Sequence, residues 1–239
     1  SWLEKYGLFF KDYICDVGTL LGAAAGQGKN ILFEAQLGAL RDIDYGIYPF
    51  TSSSNTIASY APIGAGIPGC ALDNVVGVMK AYSTCVGEGP FVAETAMGEA
   101  WNEKLRESGG EFGAATGRPR RVGPFDAVAS RYGIRCQKAQ DIALTKLDVL
   151  GAFDKIPVIT GYRLHGVLLD SFPTDSRLEE AEPVIEELPG WGCDISGCRS
   201  WKDLPENARK YVCTLEKLVD HPIYLVSTGA ERDAYLLRE

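Results

Sequence analysis

The stretch Ile142-Ala143-Leu144-Thr145-Lys146-Leu147-Asp148 reads as a short buried strand that breaks off into charged residues. An apolar run too short for a helix, followed at once by Lys and Asp, is the pattern of a strand delivering polar groups to a sheet edge. Downstream, Ile156–Tyr162 repeats the apolar run, Gly166–Leu169 is placed to return as a hairpin partner, and Pro183–Leu188 is a weaker strand. Pro205–Asp220 puts Ala208, Tyr211, Val212, Leu215, Leu218 and Val219 on one helical face, and Ile223–Val226 follows as a further buried strand. Upstream, Ala96–Ser108 is helical, and Pro124 is suited to open another helix running to about Arg135. Ala81–Val86 reads as a strand, and Leu72, Val75, Val76 and Met79 mark a short helix. Helices alternating with short apolar strands predict an α/β fold, a mostly parallel sheet with flanking helices.

The first third is less periodic. Ile14, Val17, Leu20, Leu21 and Ala24 fall at helical spacing between Lys11 and Gly26, a turn follows at Gly26–Asn30, and Ile31-Leu32-Phe33 reads as a short strand. From Ala35 to Gly69 turn residues dominate, and so long a loop in a compact domain is expected to be functional. There are no internal repeats, and residues 1–239 are treated as one region. The chain opens Ser1-Trp2-Leu3-Glu4 rather than with Met, as a piece of a longer protein would.

The 239 residues are 46% hydrophobic and 23% charged, which excludes a disordered chain, a collagen and a coiled coil. Lys plus Arg total 24 against 32 for Asp plus Glu, a net charge of −8, so no nucleic-acid partner is expected. No window of about 18 apolar residues occurs, and no membrane partner is expected. The seven cysteines are irregularly spaced with no CxxC pair, and there are two histidines, too few for a zinc cluster. The cysteines are expected to be reduced and mostly buried, in a cytoplasmic protein. No metal site is predicted within the chain.

Three motifs carry chemistry. Lys146-Leu147-Asp148 resembles the turn with which many GTP-binding proteins read guanine: the carboxylate accepts from N1–H and the exocyclic amine, while the Lys stem covers the purine ring. Adenine lacks that donor pair. A solvated turn is the plain alternative. Ser227-Thr228-Gly229 ends the Ile223–Val226 strand as a turn able to cap the guanine carbonyl, and ligands of open α/β sheets gather at such carboxyl edges. Glu111–Arg121 presents Arg118, Arg120 and Arg121 between freely turning glycines, with Thr116 adding a hydroxyl. Three arginines in an acidic chain point to an anion site, with salt bridges to the protein's own carboxylates as the alternative. Gly22–Asn30 looks like a phosphate loop but fails. Its spacing is one too long, Asn30 stands where Ser or Thr should hold magnesium, and it follows a helix.

Phe33-Glu34, Asp42-Ile-Asp-Tyr-Gly-Ile-Tyr-Pro-Phe50, Ser53-Ser-Asn55, Lys80-Ala-Tyr-Ser-Thr84, Gly87-Glu-Gly-Pro-Phe91 and Pro189-Gly-Trp191 complete the set. Together with the arginine loop, Thr-Lys-Leu-Asp-Val-Leu and Ser-Thr-Gly, they resemble adenylosuccinate synthetase in order and content. The resemblance covers nearly the whole chain but only the C-terminal half, or slightly more, of the family's. It implies the C-terminal portion of that P-loop-NTPase-like fold and a GTP-dependent ligase joining IMP to L-aspartate in AMP biosynthesis. GTP is the co-substrate, Mg²⁺ assists, a 6-phosphoryl-IMP intermediate is displaced by the aspartate amine, and the enzyme is a homodimer. By motif, the resemblance implies that Arg120, Lys146, Leu147, Asp148, Ser227, Thr228 and Gly229 bind GTP. Gln36, Leu37, Ser52 and Arg118 would bind IMP. Ala114, Ala115, Thr116, Gly117, Arg118, Pro119 and Arg120 would form the aspartate loop.

The departures are specific. The family's Phe-Glu-Gly-Ala-Gln-Gly is here Phe33-Glu-Ala-Gln-Leu-Gly38, so the IMP-binding glutamine falls at Leu37 with Gln36 one place off. Ala115 replaces a Thr, Pro119 separates two arginines, and Ser52 stands where a Thr is usual. The family's phosphate loop, catalytic Asp, catalytic His and magnesium ligands are absent from this sequence. No catalytic residue is therefore assigned, and the chain alone is expected to be inactive. A non-catalytic guanine-nucleotide-binding module is the alternative.

Overall fold

The computed structural model describes residues 1–238. In chain order the elements are α1 (Trp2–Phe10), α2 (Val17–Gly26), α3 (Ala61–Gly64), β1 (Val76–Lys80), β2 (Ser83–Cys85), α4 (Val92–Thr95), α5 (Glu99–Gly109), β3 (Arg121–Gly123), β4 (Phe125–Asp126) and α6 (Ala127–Gln137). There follow β5 (Asp141–Thr145), β6 (Lys155–Leu164), β7 (Val167–Leu168), β8 (Glu182–Pro189), α7 (Glu206–Val219), β9 (Leu225–Ser227) and β10 (Tyr235–Leu237).

The α/β reading holds. One sheet runs β1-β5-β9-β10, with β1, β5 and β9 parallel and β10 antiparallel at the edge. A second joins β4, β6, β7 and β8, with β4–β6 parallel and the others antiparallel, and β2 pairs with β3. β5 is central to the first sheet, as its Ile142, Ala143 and Leu144 demand, because a strand flanked on both sides buries both faces. α7 lays Ala208, Tyr211, Val212, Leu215 and Val219 into the core. Tyr211 is fully buried and donates to the Ala81 carbonyl at 2.6 Å, fixing the helix to the segment after β1. A second cluster gathers Ile47, Val92, Tyr132, Ile159, Tyr162 and Phe172 beneath the second sheet.

Several expectations are corrected. Leu72–Met79 is not a helix, because Val76–Lys80 forms β1. Its β-branched valines pair with β5, and at Gly77 a Cβ would lie 2.9 Å from Ile142 Cδ1, so the close approach uses the glycine. Pro124 does not open α6; the helix begins at Ala127, where Asp126 accepts from the Val128 and Ala129 amides, both at 3.0 Å. Ile31–Phe33 has no strand partner among the described residues, and Leu32 is 95% exposed. Lys11–Gly26 is split: a 3₁₀ turn at Lys11–Tyr13 gives way to extended Ile14, and Asp16 caps a fresh helix. None of the seven cysteines is disulfide-bonded among the described residues. Contrary to expectation none is buried; Cys15 and Cys193 are exposed and the rest half-buried. α3, α4, β3, β4 and β10 are four residues or fewer and carry too little sequence signal to be foreseen, whereas α1 is missed although Ser1 and Glu4 have capping-box spacing.

Candidate functional site

β5 and β9 are neighbours in parallel register, Leu144 opposite Val226, so Lys146–Asp148 and Ser227–Gly229 leave the sheet side by side at its carboxyl edge. Lys146 takes a left-handed backbone (φ +63°), uncommon for a long side chain, and turns the chain sharply out of β5. The turn sends Leu147 into the core (0% exposed) and brings Asp148 out half-buried. Lys146 Nζ donates to the Gly109 carbonyl at 2.9 Å. The Asp148 carboxylate has no hydrogen-bond or ion-pair partner among the described residues.

Beside it, Thr228 is fully buried. Its amide donates to the Ala234 carbonyl (2.8 Å) and its hydroxyl to the Cys198 carbonyl (3.2 Å), so it holds the turn and has little left to donate. The Gly229 amide donates to nothing among the described residues, while Ser227 Oγ donates to the Gly229 carbonyl at 2.9 Å.

The arginine loop is a closed turn. Gly113 N donates to Arg118 O (2.8 Å), Gly117 N to Gly113 O (2.7 Å), and Phe112 bridges to Pro119. Ala114 through Pro119 are exposed. Of the three arginines, only Arg118 keeps an unpaired guanidinium among the described residues. Arg120 pairs with Glu111 at 2.7 Å and Arg121 with Glu94 at 2.6 Å, as the alternative reading allowed. Arg121 also donates to the Gly89 carbonyl at 2.8 Å, which turns it away from the loop.

The IMP-type residues sit on a different segment. Asp42, fully buried, accepts from the amides of Asp44, Tyr45, Thr56 and Ile57 and so folds residues 42–57 into one unit. Burial raises its pKa, but the four amide donors outweigh that and leave it below the usual value. Ser52 Oγ turns to Ser54 (3.1 Å). Arg41 donates to the carbonyls of Val86 (3.1 Å) and Glu88 (3.0 Å), which fastens this unit to the end of β2 and so to the neighbourhood of the loop. Gln36 and Leu37 are exposed, and no side-chain hydrogen bond among the described residues ties either to the other candidates. Leu37 adopts φ +69°, left-handed, and is 56% exposed.

Sequence reasoning gave no role to Lys80, Tyr82 and Glu111. Burial raises the Glu111 pKa, but hydrogen bonds from Lys80, Tyr82 and Arg120 outweigh it, and the carboxyl stays below its usual range. Burial lowers the Lys80 pKa against the pull of Glu111, and burial with the Glu111 charge raises Tyr82 well above 10. The signal available was a Glu immediately before a Gly-flanked arginine loop.

Among the described residues, no group of three or more His, Cys, Asp or Glu side chains is arranged to hold a metal ion. Among the described residues no helix is long and apolar enough to cross a membrane.

The fold and these strand-end turns define an α/β protein with two polar turns at the carboxyl edge of a parallel sheet. A profile of the family described as adenylosuccinate synthetase matches residues 1–236, and the chain belongs to that family. The adenylosuccinate synthetase of Trichlorobacter lovleyi is 48% identical over 235 residues, covering 98% of this chain and 54% of that protein. That of Pelotomaculum thermopropionicum is 46% identical over 241 residues, covering 99% and 56%. The fully ligated adenylosuccinate synthetase structure from Plasmodium falciparum superposes with a TM-score of 0.94 at 35% identity, covering 100% of this chain and 57% of that one. The chain thus spans about half the length of the curated relatives it matches.

Proposed function

We propose that residues 1–239 supply the guanine pocket and the aspartate loop of a GTP-dependent ligase that joins IMP to L-aspartate. In that reaction the γ-phosphoryl group of GTP passes to O6 of IMP. The aspartate amine then displaces it as phosphate to give adenylosuccinate. The observation that carries the reading is the side-by-side exit of Lys146–Asp148 and Ser227–Gly229 from parallel strands, with the Asp148 carboxylate left unpaired among the described residues. Asp148 would accept from N1–H and the amine of guanine, the Lys146 stem would cover the ring, and the Gly229 amide is free to donate to the carbonyl. Arg118, exposed and unpaired, is available to IMP or to the aspartate carboxylate, and Arg120 to the GTP phosphates. GTP and Mg²⁺ come with the family; no step is assigned to Mg²⁺ through the residues of this chain. We further propose a cytoplasmic homodimer, and that this chain by itself forms no adenylosuccinate.

The direct test titrates wild type and Asp148→Asn with GDP and XDP. The amide places a donor opposite a guanine donor, so GDP affinity should fall at least about tenfold, or roughly 1.4 kcal/mol. Xanthine carries a carbonyl where guanine has its amine, so the variant should gain relative preference for XDP. An unchanged GDP-to-XDP ratio removes Asp148 from the site.

A second reading, a non-catalytic guanine-nucleotide-binding module, is favoured by Leu37, which offers no hydrogen bond where the family's glutamine falls. Mixing the chain with the N-terminal half of a relative separates the two. Adenylosuccinate formation in the mixture supports the ligase, and nucleotide binding without turnover supports the module.

A further inference from the structure

Glu111 is the one carboxylate among the described residues that is both buried (1% exposed) and held by two cations. Its oxygens are divided. Oε1 accepts from Lys80 Nζ at 2.8 Å and Tyr82 Oη at 2.7 Å, and Oε2 accepts from Arg120 Nη1 at 2.7 Å. Lys80 ends β1, Tyr82 lies between β1 and β2, and Arg120 closes the arginine loop. Lys80 Nζ is further fixed by Thr84 Oγ1 at 3.0 Å.

The same corner reaches both halves of the candidate site. Lys146 Nζ donates to the carbonyl of Gly109, the last residue of α5. Arg106, one turn earlier, donates from Nε to the Arg120 carbonyl at 2.9 Å and accepts at its own carbonyl from Glu111 N at 2.9 Å. Arg120 N in turn donates to Glu111 O at 2.9 Å. The end of α5 is therefore bonded to the Lys146 turn on one side and to the arginine loop on the other.

Here Lys80 and Arg120 share a single carboxylate, which leaves one positive charge in surplus. Arg120 is a third exposed, and its Nε and Nη2 make no hydrogen bond among the described residues. A surplus charge on a guanidinium held by one nitrogen, with its other donors free, is suited to the oxygens of a phosphate. We propose that Glu111 is the positioning residue for the phosphates of a bound guanine nucleotide. It aims Arg120 while touching no ligand itself. The inference rests on the guanine-nucleotide reading above.

The test is a four-way comparison of the purified chain, Glu111→Gln, Arg120→Gln and the double variant, each titrated with guanosine and with GDP. Guanosine carries no phosphate, so its affinity should stay within about twofold throughout. GDP affinity should fall about tenfold in each single variant. The double variant should lose no more than Arg120→Gln alone, since Glu111 acts through Arg120. Equal losses for guanosine and GDP in Glu111→Gln, losses that multiply in the double variant, or no loss at all would each overturn the inference. Should Glu111→Gln fail to fold, Glu111→Asp keeps the charge, shortens the reach, and takes its place under the same criteria. A wild-type chain that binds neither compound overturns the guanine reading, and the inference with it. A wild type that binds GDP beside an unaffected variant overturns the inference only.

Discussion

Helices α2 and α7 both carry apolar residues at helical spacing, yet they are held by different forces. α7 has fourteen residues, no side-chain cap at Pro205, and five residues buried in the core. α2 has ten residues, none of them buried, and is started by Asp16, whose carboxylate accepts from Thr19 N at 3.1 Å and from the Thr19 hydroxyl at 2.9 Å. α1 repeats the second case: Ser1 and Glu4 form a capping box, and Trp2, Leu8 and Phe9 remain exposed. Periodicity predicts a helix in either setting, but it predicts burial only where another element is present to receive the apolar face. Around β5 and β9 such elements exist. Along residues 2–37, contact with the rest of the chain is slight. At one point of approach a Cβ on Gly18 would lie 3.0 Å from the Gly66 carbonyl oxygen.

The sharpest way to break this contrast is a pair of truncations. Leu215→Ala, at a fully buried site on α7, should cost about 2–5 kcal/mol in chemical denaturation, because it removes buried methyls and leaves a cavity. Leu20→Ala on α2, where the leucine is 57% exposed, should stay within about 0.5 kcal/mol of wild type. Comparable losses at both sites would show that the N-terminal helices share the core's stability.

A second measurement locates the buried half by its titration. Asp126 is buried, caps α6, and accepts from the Tyr162 hydroxyl. Burial outweighs those donors and pushes its pKa up to about 6 from the ordinary 3.8. The folded state then holds a proton that the unfolded state has released between those values. This group's contribution is therefore most favourable below about pH 4, falls as pH rises towards 6, and is flat beyond. The change is on the order of 3 kcal/mol across that window. Glu111, held below its usual value, works in the opposite sense at lower pH, so the effect is read as the difference between wild type and Asp126→Asn. A difference that does not vary between pH 4 and 7 would refute it.

The smallest expected effect is local. Asp16→Ala removes the α2 cap, so amide exchange should rise at Gly18–Leu21 and stay unchanged in α7. Exchange that rises in both helices would join the two regions into one cooperative unit.

Within the candidate site, legibility followed the same rule. Lys146–Asp148 and Ser227–Gly229 could be read as strand ends, because each directly follows a short apolar run. That they emerge side by side is a fact of strand order, which the chain does not write locally. The three arginines could be counted but not sorted, since their partners Glu111 and Glu94 lie 9 and 27 residues away. Glu111 itself was visible only as the residue preceding a loop.

The sequence by itself determined the runs Ile142–Leu144, Ile156–Tyr162 and Ile223–Val226, the apolar face of Pro205–Asp220, and the order of the motifs that mark the family. Each of these is set by residues within a turn or two of one another, and local periodicity and turn chemistry are enough to specify them. Only the tertiary structure decided that Val76–Lys80 is a strand, because a strand exists through its partner, and β5 lies about 65 residues further on. It also decided which arginine stays free and whether an apolar helix face is covered. Burial and ion pairing depend on what distant chain segments bring alongside, and no local pattern encodes that.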